Sequence, residues 1–324
     1  MPDLTFEGQT FTCNDNETVL ECLERHGVEM ASSCRSGVCQ SCLMRSAEGA
    51  LPESSQKGLK DTLRVQGYFL ACQCSPKEAL SVSRADSADR QVKATITRIE
   101  TLSANVVGVW MTTDHPIEYR PGQFVNFVRE GGLLRSYSVA SVPALQDELE
   151  FHVALMPEGK MSGWLHSEAQ AGDTLDLQGP LGSCFYVAGK PDQPLLLVGT
   201  GTGLAPLYGI ARHALEEGHT APIHLMHASL AVEGLYLVEE LKRLDAAHPN
   251  FTYTPCALNG SGRTDVTYGN IMDIALEHHP ELKGWRIYLC GHPDTVKTLQ
   301  RKTFMAGASM SDILADAFLP SQNT

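Results

Sequence analysis

Short apolar runs separated by turn residues fill this chain, and their rhythm changes twice along its length. From Leu4 to about Arg84 a strand (LTF), the turn Glu7-Gly8 and a second strand (TFTC) precede a helix beginning near Glu17, with Val19, Leu20 and Leu23 on its inner face. A cysteine-rich loop follows. The stretch Ala85-Asp86-Ser87-Ala88-Asp89 is small and polar with nothing to bury, which predicts a linker. From Gln91 to about Pro180 the alternating runs VKATITRIE, VVGVWMT, GQFVNFV, SYSVAS and LEFHVAL predict a small antiparallel barrel, with a helix after Gly159. From Leu195 apolar strands alternate with helical stretches: LLLVG, a helix after Pro206, IHLMHA, a helix over Tyr236 to Ala247, FTYTPCA, a helix near Asn270, and RIYLCG. That order predicts a parallel sheet covered by helices. Three domains are therefore expected, at residues 1–86, 90–190 and 191–324.

Composition narrows the function. A chain of 324 residues, 43% hydrophobic and 19% charged, suits a multidomain globular protein. The opening residues MPDLTFEGQTF lack the features of a secretory signal, and no stretch approaches a membrane span, so a cytoplasmic protein is expected. A formal charge of −13 without runs of Lys or Arg disfavours nucleic acid and an anionic membrane surface as partners. Ten cysteines in a reducing compartment point to metal ligation, redox chemistry or plain burial rather than to disulfides.

Their clustering decides. Cys34-Arg-Ser-Gly-Val-Cys39-Gln-Ser-Cys42 has C-x4-C-x2-C spacing, and Cys72 follows in FLACQC. Soft thiolates stabilise iron, and a tight loop containing Ser33, Ser36 and Gly37 lets three of them surround a compact anionic cluster. A structural zinc site would favour paired C-x2-C knuckles instead. The pattern resembles plant-type [2Fe-2S] ferredoxins, which implies a β-grasp α+β domain with Cys34, Cys39, Cys42 and Cys72 as ligands. Cys74 is a competitor for the fourth position unless the segment is extended. Gln40 stands where such ferredoxins often have glycine, which puts the local loop conformation in question. Burial is the expectation for Cys13, Cys22, Cys184 and Cys256.

Two further sets of residues carry chemistry. Arg135-Ser136-Tyr137-Ser138, followed by Gly159-Lys160-Met161-Ser162, resembles the paired R-x-Y-S and G-x-x-S motifs of the ferredoxin-NADP reductase superfamily, with PGQFV upstream and GPLG downstream. A guanidinium can hold a pyrophosphate in bidentate fashion, and a glycine before a helix lets backbone N–H groups approach phosphate. The resemblance implies an antiparallel β-barrel FAD domain. In it Arg135 and Ser162 hold the phosphates, Tyr137 packs on the ring and Ser138 sits near flavin N5. Phe318, in ADAFLPS, is either the aromatic covering the other flavin face or a core residue. Gly199-Thr200-Gly201-Thr202-Gly203 follows the strand LLLV and precedes a helix, a place where bare backbone approaches a pyrophosphate. Its spacing departs from the G-x-G-x-x-G fingerprint but resembles the superfamily's NAD(P)H segment, implying an α/β Rossmann-like NAD domain. Cys290-Gly291 resembles the cysteine-glycine motif beside the nicotinamide, so Cys290 and Ser138 are the expected catalytic pair. His292 is unassigned. After strand IHLMHA come Ser229 to Glu233 with no basic residue before Lys242, which favours NADH, Glu233 being either a ribose contact or a solvated acid.

The domain order resembles the reductase components of bacterial ring-hydroxylating dioxygenases and soluble multicomponent monooxygenases, of the benzoate dioxygenase reductase type. It implies an NADH:acceptor oxidoreductase with FAD and a [2Fe-2S] cluster, passing electrons to an oxygenase component or a separate ferredoxin. The same architecture serving a deoxysugar dehydratase, or a non-enzymatic ferredoxin-like carrier, stands as the alternative.

Overall fold

The computed structural model describes residues 1–85 and 91–319, so residues 86–89 of the expected linker lie outside the described residues. The chain divides into two compact units, Met1–Ser87 and Ala88–Thr324.

In the first unit, β1 (Asp3–Phe6), β2 (Gln9–Thr12), β3 (Leu43–Glu48), β4 (Tyr68–Leu70) and β5 (Leu80–Arg84) form one sheet in the order β2-β1-β5-β3-β4. β1 and β5 pair parallel and the other pairs are antiparallel, giving the β-grasp arrangement. Alternation places Leu4 and Phe6 of β1 in the core. Helix α1 (Val19–Arg25) starts where Thr18 and Glu21 form a capping box, each side chain satisfying the other's backbone N–H. Its Val19, Leu20, Cys22 and Leu23 join Met44, Phe69 and Leu70 in a single core. A short helix, α2 (Asp61–Arg64), precedes β4.

The second unit begins with β6 (Gln91–Ser103), β7 (Val106–Thr113), β8 (Phe124–Arg129), β9 (Leu133–Ser138), β10 (Leu149–Ala154) and β11 (Thr174–Leu181). Their order is β10-β7-β6-β11-β8-β9, and a bridge between Val139 and Phe151 brings the end of β9 to β10, closing the barrel. Helix α3 (Lys160–Ser167) buries Met161, Trp164 and Leu165 in the barrel core.

The remainder is a parallel sheet of β12 (Leu195–Thr200), β13 (Ile223–Ser229), β14 (Phe251–Ala257), β15 (Thr267–Tyr268), β16 (Arg286–Gly291) and β17 (Ile313–Ala317). Its order is β15-β14-β13-β12-β16-β17, with every pair parallel. Both faces are buried. Leu195 and Leu197 of β12 pack in the core that contains α4 (Leu204–Glu216), whereas Leu196 and Val198 join the opposite core with α6 (Ile271–His278) and α7 (Pro293–Met305). The chain runs outward from β12 through β13 and β14, then returns to the other side as β16. The carboxyl ends of β12 and β16 therefore form the topological switch point, where ligands bind in such sheets. Helix α5 (Val238–Ala247) starts two residues later than the pattern predicts, because Leu237 takes a left-handed conformation (φ 54) that an α-helix does not admit. No helix among the described residues is long and apolar enough to cross a membrane.

Candidate functional site

The cysteine loop of the first unit is drawn tight by three left-handed residues: Arg35 (φ 50), Gly37 (φ 81) and Gln40 (φ 59). The glycine expected at position 40 is explained by that geometry, which Gln40 adopts at a cost of roughly 1 kcal/mol. The coiled backbone aims its donors at sulfur. The N–H of Cys34 donates to Cys39 Sγ at 3.4 Å, and the N–H groups of Cys39 and Ser36 donate to Cys34 Sγ at 3.3 and 3.4 Å. Ser41 Oγ donates to Cys39 Sγ at 3.2 Å. With the Ser36 hydroxyl adding its own hydrogen bond, the exposed Cys34 thiol is pulled down to about 5. Cys39 is lowered too, chiefly by Ser41.

The buried Cys42 and Cys72 make a second sulfur pair, and burial pushes the Cys42 thiol up to about 11. Two thiol pairs fit a two-iron cluster, in which each iron takes two cysteines. Gln73 ties the pairs together. Its Nε2 donates to Arg35 O at 3.2 Å and to Cys72 O at 2.9 Å, and its side chain lies where a Cβ on Gly37 would come within 3.0 Å. The segment around Cys72 is not extended: β4 ends at Leu70, and a 3-10 turn covers Ala71–Gln73. That turn separates Cys72 from Cys74, which is fully buried in the core with its thiol pushed up to about 12 by burial.

In the second unit, β9 carries Arg135, Ser136, Tyr137 and Ser138 with alternating exposure. Arg135 Nη1 donates to Leu134 O at 2.7 Å, and Ser136 Oγ donates to Asn126 Oδ1 at 2.7 Å. The Tyr137 ring packs 4.6 Å from that of Phe127. Gly159 precedes α3 in a turn too tight for a side chain, since a Cβ there would lie 2.4 Å from Ser162 Oγ. That hydroxyl is buried within the turn, accepting from Met156 N at 3.1 Å and donating to Gly159 O at 3.3 Å. Met161 is buried in the barrel core and Lys160 is exposed.

At the switch point, residues from three strands meet. Gly203 lies so close to β16 that a Cβ would be 2.3 Å from Cys290 O, and one on Gly291 would be 2.4 Å from Thr200 Oγ1. Thr200 Oγ1 accepts from the N–H of His292 at 3.0 Å. Gly199 abuts Leu207 and Gly203, and Gly201 takes φ 55. Thr202 lies beside them in the same turn. Beside β16, the N–H of Phe318 donates to Gly291 O at 2.9 Å, and Phe318 is half-buried.

Three residues of this centre escape any reading of local motifs. Asp316, paired with Cys290 across β16 and β17, accepts from Ser138 Oγ at 3.5 Å, and burial pushes its carboxyl up to about 6. His227, buried and held down to about 4 by burial, is neutral at pH 7 and donates from Nε2 to Gly201 O at 3.0 Å. Cys184 Sγ lies 3.8 Å from Cys290 Sγ, and burial raises the Cys290 thiol far above its ordinary value. The only sequence signal for Asp316 was its place two residues before Phe318.

Known domain families match three segments of the chain. A 2Fe-2S iron-sulfur cluster binding domain matches residues 4–77, an oxidoreductase FAD-binding domain residues 93–186 and an oxidoreductase NAD-binding domain residues 197–301. The naphthalene 1,2-dioxygenase system ferredoxin–NAD(P)+ reductase component of Pseudomonas putida is 34% identical, over 93% of each chain. The chain belongs to the reductase components of oxygenase systems. The reductase is also 30% identical to the reductase component of phenol 2-monooxygenase from Pseudomonas sp. strain CF600, over 89% of this chain and 86% of that one. Among solved structures, an Amycolatopsis cytochrome P450 reductase has 28% identity and a TM-score of 0.69, covering 99% of both chains. The ferredoxin reductase of carbazole 1,9a-dioxygenase has 25% identity and a TM-score of 0.66, covering 98% of both. The reductase therefore binds NADH, FAD and a [2Fe-2S] cluster and passes electrons along them in that order.

Proposed function

We propose that this reductase takes electrons from NADH in preference to NADPH and delivers them singly to an oxygenase component, directly or through a separate ferredoxin. The observation that carries the reading is the contrast between a centre of buried Ser138 and Cys290 with half-buried Asp316 and exposed thiolate ligands at Cys34 and Cys39. The bound flavin supplies the conversion of a two-electron hydride into single electrons, and the bound cluster supplies the one-electron outlet.

The chain's own residues orient and hold. Cys34, Cys39, Cys42 and Cys72 ligate the cluster. Arg135 and the free N–H groups of Lys160, Met161 and Ser162, at the first turn of α3, hold the FAD phosphates. The Ser162 hydroxyl and the Met161 side chain shape that turn. Tyr137 and Phe318 pack on the isoalloxazine, and Ser136 braces β9 against β8. Ser138 faces the reacting atoms, its hydroxyl donating to Asp316 Oδ2, a carboxyl that burial lets take up a proton as pH falls through about 6. Gly199 to Gly203 cradle the dinucleotide pyrophosphate, and Cys290 and Gly291 bound the nicotinamide. Domains at 1–86, 90–190 and 191–324 in a cytoplasmic protein complete the proposal.

An anaerobic titration tests it. NADH should bleach the flavin absorbance and then the cluster's, with NADPH far less effective. Flavin that stays oxidised with both nucleotides would overturn the reading.

A further inference from the structure

Two leucines at the carboxyl ends of the parallel strands are left in solvent. Leu230 follows β13 and Leu258 follows β14, and they are 74% and 48% exposed. Backbone bonds hold their segments side by side: Leu258 N donates to Ser229 O at 3.0 Å and Asn259 N to Leu230 O at 2.9 Å. Large apolar side chains at the carboxyl ends of these strands suit the faces of an adenine ring, whose ribose then lies at the same rim.

That rim holds more positive charge than the sequence after Ser229 suggests. Lys242, on α5, and Arg263, in the loop after β14, are both only partly buried. The Arg263 loop belongs to the same neighbourhood. The N–H of Arg263 donates to Tyr268 Oη at 3.2 Å, and a Cβ on Gly260 would lie 3.1 Å from the Tyr268 ring and 4.0 Å from the Val232 side chain. One carboxylate occupies both cations. Asp265 Oδ2 receives Lys242 Nζ at 2.7 Å and Arg263 Nη2 at 2.5 Å, while Asp265 Oδ1 receives Arg263 Nε at 3.0 Å. Lys242 also reaches Glu239 Oε1 at 3.2 Å.

We propose that Asp265 is a specificity-determining residue of this reductase, enforcing the preference for NADH by tying Lys242 and Arg263 to itself. The inference rests on the NADH reading above and names the residue responsible for it. NADPH differs from NADH by a 2′-phosphate, whose binding calls for Arg or Lys. A fork of Arg263 closed on a carboxylate cannot close on a phosphate, because both use the same planar donors. The Asp265 charge also repels a phosphate brought to this rim. NADH, with a neutral 2′-hydroxyl, is indifferent to both effects.

The test compares steady-state kcat/KM for NADH and NADPH in the holoenzyme and in Asp265→Asn, with ferricyanide as acceptor. Asp265→Asn should raise kcat/KM for NADPH about tenfold, equivalent to about 1.4 kcal/mol, and change that for NADH less than twofold. The gain should shrink in high salt, since these cations are exposed, and should be reversed by adding Arg263→Ala. An NADPH value that does not move, in an enzyme that does prefer NADH, overturns the role of Asp265 alone. Equal gains for both nucleotides overturn it too, as they would report a general charge effect. A wild-type enzyme that uses both equally overturns the NADH reading and the inference with it.

Discussion

Sulfur does opposite work in the two units. At Cys34 an exposed thiol ringed by N–H and hydroxyl donors is pulled down to about 5, whereas at Cys290 a buried thiol is driven far above its ordinary value. The sulfur atom is common to both, and hydration with hydrogen bonding makes the difference. A ligand must be ionised to bind iron and must lie near the surface to pass an electron outward. A group beside a hydride donor must be small, uncharged and dry. The loop achieves the first by left-handed turns that aim backbone at sulfur, and the parallel sheet achieves the second by packing β16 between β12 and β17.

The sharpest way to break this contrast is to remove a ligand. Cys72→Ser should abolish cluster absorbance and cut one-electron delivery more than roughly 100-fold, since even outer-shell changes cost ten- to a hundredfold. NADH-dependent ferricyanide reduction by the flavin should survive. Cys74→Ser should leave the cluster in place, and a cluster that persists in Cys72→Ser would reverse the assignment of the two.

The dry centre is tested at Asp316. Its carboxyl is held at about 6 in the folded protein against 3.8 for an ordinary one, so the folded state binds the proton more tightly. Its favourable contribution is complete below about pH 4 and is lost as pH rises through 6. Asp316→Asn should therefore stabilise the cofactor-free protein by roughly 2 kcal/mol at pH 7, with the difference vanishing near pH 4, while slowing turnover by about 100-fold. Thermal unfolding at the two pH values and the pH profile of NADH oxidation read the two effects. A variant with unchanged stability and an unchanged profile would remove Asp316 from the centre.

The smallest expected effect lies in the exposed loop. Gln40→Gly relieves a left-handed side chain but loosens the unfolded chain, for a net stabilisation of about 0.5 kcal/mol. Cluster loss on heating should occur at a slightly higher temperature. Faster loss would mean that the bond from Gln40 Nε2 to Gly58 O outweighs the backbone strain.

Local spacing was enough for much of this. The alternation in VKATITRIE and VVGVWMT marked β6 and β7, and the run LLLVG marked a strand buried on both faces, because side-chain period is set by backbone geometry alone. The pattern left α7 and β17 unread. β17 is five residues long, and its polar Asp316 breaks the apolar run of an inner strand.

Three cluster cysteines within nine residues, a glycine turn after a buried strand, and the order of the three segments were determined by the chain itself, because each depends on neighbours in sequence. The approach of Ser138 to Asp316 joins residues 178 positions apart, and that of Cys184 to Cys290 joins residues 106 apart. Gln73 reaches back 38 positions to Arg35, and a single 3-10 turn separates Cys72 from Cys74. Tertiary structure alone decided these, because only the closed barrel and the strand order of the parallel sheet bring such distant backbone together. The acidity of each sulfur and carboxyl then follows from what the fold places around it.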